Sequence, residues 1–113
     1  MGKLIRTNFD RHEMRRDRRY CSPAITVRVA GIDHPVRDWS LTGFRPACGM
    51  RVERGGRIAG ALRIAASGAV HPFAAEAVRG DAQGVTAFRF VECSGSLARA
   101  LERAVVARMA GRS

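Results

Sequence analysis

Lysine is nearly missing from this chain of 113 residues: Lys3 is the only one, and every other cation is an arginine. Acidic residues are also scarce, ten against twenty basic ones, so the net charge is +10. Such an excess attracts polyanions, which makes nucleotides, nucleic acid and anionic lipid the classes of partner to weigh. Cysteine occurs three times, at Cys21, Cys48 and Cys93. The number is odd and the spacing wide, with no CxxC and no Cys/His ligand pattern, which argues against a disulfide framework and a zinc site. The reading is reduced, partly buried thiols of a cytoplasmic protein. Aromatic residues are few, Trp39, Tyr20 and five phenylalanines, and they do not interleave with basic residues as in a single-strand binder. No apolar run is long enough to span a bilayer, and the basic start Met1 to Arg6 has no apolar stretch behind it, so it does not read as a signal peptide. Glycine-rich phosphate loops, metal clusters and nucleophile–base spacings are missing as well, which points away from an enzyme.

What remains has a clear order. Residues 1–20 are polar, with seven cations and three acids in positions 1–19, and read as a flexible arginine-rich arm. Residues 21–113 read as one folded domain. Ile25, Val27 and Val29 alternate with Thr26 and Arg28 as a strand, and His34 to Leu41 reads as a second strand. Phe44 to Ala47 is a short third strand, and the alternation over residues 58–64 is a fourth. Val70 to Arg79 is a fifth, Gly80 to Gly84 a turn, and Thr86, Phe88 and Phe90 mark a sixth. The period then changes from two to about four: Leu97, Leu101, Val105 and Met109 form one stripe of an amphipathic helix, with Ser94 or Ser96 as its cap. Short strands at near-even spacing predict a small β-barrel or sandwich with a C-terminal helix over one face or opening.

Two stretches carry the chemistry. Four arginines fall within five positions, Arg15-Arg16-Asp17-Arg18-Arg19. Nineteen residues on comes Asp38-Trp39-Ser40-Leu41-Thr42-Gly43. If residues 34–40 are extended, Asp38 and Ser40 leave one face and Trp39 and Leu41 the other. Trp39 then anchors the core while the carboxylate and hydroxyl look outward, and Gly43 permits a turn and close backbone approach. Guanidinium groups pair with phosphate, or with the O6 and N7 acceptors of guanine. A carboxylate suits the N1–H and N2–H donors of guanine. The set is complementary to a guanine nucleotide. A hydrolase triad from His34, Asp38 and Ser40 is excluded by reach, since positions i and i+4 of a strand lie roughly 13 Å apart.

These two motifs together resemble the PilZ family, whose signature is RxxxR followed some twenty residues later by [D/N]xSxxG. Arg15 and Arg19 stand at the first pair of positions, and Asp38, Ser40 and Gly43 match the second motif in full. The resemblance covers about residues 12–110. It implies a six-stranded antiparallel β-barrel with a C-terminal helix, and binding of cyclic di-GMP as a ligand, with no other cofactor. In that reading Arg15 and Arg19, assisted by Arg16, contact phosphate and the acceptor edge of guanine. Asp38 and Ser40 hold the other base edge, and Gly43 leaves room for backbone approach. The position before RxxxR, an arginine in relatives that take an intercalated ligand dimer, is Met14 here.

The function expected is therefore a cytoplasmic regulatory module without catalysis, which closes its arm over the Asp/Ser platform and signals to an effector protein. The alternatives are a basic nucleic-acid-binding module and a degenerate domain that binds only protein. The leading reading includes no specific nucleic-acid partner and no membrane span.

Overall fold

A computed structural model describes residues 18–65 and 67–111. Six strands follow one another: β1 (Ile25–Val29), β2 (Ile32–Trp39), β3 (Gly43–Pro46), β4 (Arg57–Ile64), β5 (Val70–Asp81) and β6 (Gly84–Cys93). One helix, α1 (Gly95–Gly111), closes the chain. All pairings are antiparallel, and the sheet closes on itself in the order β1-β2-β3-β6-β5-β4. Closure removes the exposed edges that an open sheet of this size would have. The periodicities left a barrel or a sandwich open, and the chain forms the closed six-stranded antiparallel barrel with one C-terminal helix.

The period-two residues fill the interior. Ile25 and Val27 of β1, Ile58, Leu62 and Ile64 of β4, and Phe73, Ala75 and Ala77 of β5 are all buried. Phe44 sits at the centre of an aromatic cluster. It stacks on Phe88 with ring centres 5.2 Å apart and meets Phe73 edge-on at 5.8 Å, while Phe90 closes the group. Such offset and edge-on pairs add specificity to the burial of large apolar surface. The helix completes the core with Leu97 and Leu101, both essentially inaccessible, and Val105 packs at the margin.

Local chemistry explains the helix start. Ser94 is the cap: its Oγ accepts from Leu97 N at 3.1 Å and its carbonyl from Ala98 N at 3.0 Å. Ser96, the other candidate, instead bonds Nδ1 of His71 at 3.0 Å and so ties the first turn to β5.

Three expectations are corrected. Strands β5 and β6 run on through the stretch read as a broad turn, which leaves only Ala82 and Gln83 between them. Gly84 takes a φ of +129°, open to glycine, and Asp81 accepts from Gln83 N at 2.8 Å, so a two-residue connection suffices. The second strand ends at Trp39, so Ser40 and Leu41 belong to the following turn. The three thiols are exposed rather than partly buried, because each lies outside the inward-facing positions of the strands.

The helix is part of the core, so its loss is costly. Leu101→Ala removes a fully buried side chain from the core. The expected cost is about 2–5 kcal/mol, and a fall in melting temperature of roughly 10 °C or more. A circular-dichroism melt checks this; an unchanged midpoint would mean that α1 only lies on the surface.

Candidate functional site

Arg19, the last residue of the arginine run, meets Asp38 at one corner of the barrel, and Trp39 is the reason. Its ring is buried, 1% exposed, and its indole N–H donates to the carbonyl of Pro23 at 2.9 Å. Its backbone forms an antiparallel bridge with Tyr20: Tyr20 N donates to Trp39 O at 2.7 Å, and Trp39 N to Tyr20 O at 2.8 Å. The two rings lie 5.2 Å apart, tilted by 34°. Tyr20, read as the last residue of the arm, is thus joined to the sheet. In an antiparallel bridge Arg19 falls opposite Ser40, and its side chain reaches back along β2 to the residue before Trp39.

That residue is Asp38. Its carboxylate lies on the side of β2 opposite Trp39, as the alternation requires, but a bulge intervenes. The register shifts between Val36, opposite Pro46, and Asp38, opposite Arg45. Unbroken alternation would set Val36 on the face of Asp38. The extra residue, Arg37, lets both Val36 and Trp39 pack against the core.

Asp38 is not an open platform. Its side chain is 12% exposed and surrounded by guanidinium groups. Arg45 Nε donates to both carboxylate oxygens, at 2.9 and 3.0 Å, and Arg45 Nη2 donates to Oδ2 at 2.7 Å. Arg19 Nη1 lies 3.5 Å from Oδ1. One carboxylate therefore holds two cations. The hydrogen bond to Asp38 raises the pKa of Arg45, so the cation persists at any working pH. A carboxylate bonded in this way orients its partners.

Ser40 differs from the expectation of an outward hydroxyl. The residue is 1% exposed, and its Oγ accepts from Thr42 N at 3.1 Å and bonds Thr42 Oγ1 at 3.0 Å. Ser40 N donates to Gly43 O at 2.8 Å. This is a hydroxyl-stabilised turn that ends β2 and starts β3. Gly43 also answers to the fold. A Cβ there would come within 2.1 Å of the carbonyl oxygen of Phe88, where β3 crosses β6. The close approach that needs glycine is made by the protein's own backbone.

Arg15 and Arg16 lie outside the described residues. Arg18 is described and exposed. Arg45 was missed by the reading of the sequence, though a signal for it exists. Counting outward from the turn at 40–43 pairs 39 with 44 and 38 with 45, and opposite charges facing each other across a hairpin are a stabilising pair. Among the described residues, no group of His, Cys, Asp and Glu could hold a metal ion. No helix there is long and apolar enough to cross a membrane. No protein-family model matches this chain, and no curated protein matches it significantly.

Because Gly43 serves the β3–β6 crossing, Gly43→Ala is expected to destabilise the fold before any ligand is considered. The loss should be about 1–3 kcal/mol, read as a lower urea midpoint with an unchanged slope. A midpoint equal to that of the parent would mean that the crossing tolerates a methyl group.

Proposed function

We propose that this chain is a cyclic di-GMP receptor of the PilZ kind, a regulatory module that works without catalysis. The observation that carries this reading is the 3.5 Å approach of Arg19 to Asp38, which unites the second arginine of one motif with the aspartate of the other. The two residues are nineteen apart in the chain. The Tyr20–Trp39 bridge joins the two segments.

The chemistry fits the ligand. Cyclic di-GMP offers two phosphodiesters and two guanines, and each presents oxygen or nitrogen acceptors to a guanidinium fork. Arg19 supplies one fork at the barrel corner, and Arg15 and Arg16 precede it in the arm. Asp38 keeps the corner ordered, and the turn of Ser40 and Gly43 fixes where β2 stops. The bridge at Tyr20 is the fixed end from which the arm reaches over the ligand. The surface so changed is what an effector protein reads. Such coupling requires that the ligand bind the two arm positions with different affinity. The setting is the cytoplasm, where the messenger is made and consumed.

Titration calorimetry on the whole chain tests the proposal. Cyclic di-GMP is expected to bind at micromolar concentration or tighter. Arg19→Ala and Asp38→Ala are each expected to abolish detectable binding without lowering the fraction folded at 25 °C. Cyclic di-AMP should bind about ten- to a hundredfold more weakly, because adenine replaces an acceptor by a donor at the edge that a fork reads. No heat at two temperatures and no retention in equilibrium dialysis would dismiss the proposal. Retention of DNA or RNA of any sequence, lost at moderate salt, would instead mark a surface that works by charge alone.

A further inference from the structure

The motif residues do not include the side chain that dominates this corner. Of the five N–H donors of a guanidinium, the bonds of Arg45 to Asp38 use the one on Nε and one on Nη2, which leaves three. The Arg45 side chain is 35% exposed, so this group is held in place yet reachable from solvent. A phosphodiester carries one negative charge and two non-bridging oxygens. It presents the pair of acceptors that a fork prefers.

The geometry points to Arg45 as a ligand-binding residue contributed by β3: it takes a phosphodiester of the bound nucleotide, and Asp38 is its positioning residue. This deepens the receptor reading above and rests on it. In this arrangement Asp38 has its acceptors committed to guanidinium donors before any ligand arrives. A phosphate takes the donors that Arg45 does not give to Asp38 and leaves that pair intact. Arg45 is also preorganised, because a cross-strand partner in register and three short hydrogen bonds fix its orientation. Fixed donors lose less freedom on binding than a side chain in solution does.

The experiment is titration of the whole chain with cyclic di-GMP at low and moderate salt, with Arg45→Ala and Arg45→Gln beside the parent. Glutamine keeps an N–H for Asp38 but carries no charge. Both variants are expected to bind about tenfold or more weakly, and with a flatter dependence of affinity on salt, as a lost phosphate contact requires. Equal or tighter binding would overturn the inference and make Arg45 only a counterion of Asp38. Weaker binding with the parent's salt dependence would overturn it too, since a structural role has that signature. If Arg45→Ala does not fold, Arg45→Gln decides by the same criteria. Absence of binding by the parent chain removes the receptor reading and this inference together, whereas binding by the parent with unaffected variants removes the inference alone.

Discussion

The backbone bridge between Tyr20 and Trp39 is the contact on which the corner of the barrel depends. Two hydrogen bonds, at 2.7 and 2.8 Å, join the entering chain to the end of β2, and the indole N–H of Trp39 secures Pro23 behind them. The buried ring supplies the apolar driving force, and the hydrogen bonds supply direction. Since a strand alternates its side chains, a tryptophan facing inward obliges its neighbour Asp38 to face outward. The same bridge brings Arg19 alongside. One residue thus sets the core, the entry of the chain and the position of the charged cluster.

The cluster itself follows from the cost of hiding a carboxylate. A charge as sheltered as that of Asp38 must be paired and hydrogen-bonded to be tolerated. The hairpin register supplies Arg45 directly opposite, with bonds to both oxygens. The exposed pairs elsewhere on the barrel differ in kind. Arg28 with Asp33 and Arg89 with Glu76 lie in water and contribute little to stability. At 38 and 45 the sheltered carboxylate makes geometry decisive, and the result is a pair of oriented guanidinium groups at a fixed place on β2 and β3.

Much of the barrel was legible in the sequence, because alternation of apolar residues is a local signal. The interior of β1 and β4, and Leu97, Leu101 and Val105 of the α1 stripe, fell at the positions the periods predicted, while the side chain of Met109 lies outside the described residues. Trp39 read as a core anchor and is one. What escaped were properties that depend on a partner strand. The bulge at Arg37 appears only when Pro46 and Arg45 are set against β2. The 80–84 stretch is rich in turn residues, yet the ladder to its neighbour strand carries it in regular pairing almost to the tip. Ser40 carries no mark by which to distinguish a hydroxyl that serves a turn from one that serves a ligand. Arg45 was hidden among nineteen arginines until a register singled it out.

The two kinds of residue in the second motif separate on physical grounds. Ser40 and Gly43 are fully accounted for by the barrel: one closes a turn, the other lets β3 cross β6 without a clash. Asp38, Arg19 and Arg45 are not. A neutral or apolar pair at 38 and 45 would hold the same hairpin, and replacing sheltered ion pairs by well-packed apolar groups is often neutral or stabilising. The fold therefore has no need of charge at this corner. Charge that folding does not require, kept at a site that folding makes rigid, is what the proposal of an anionic ligand rests on.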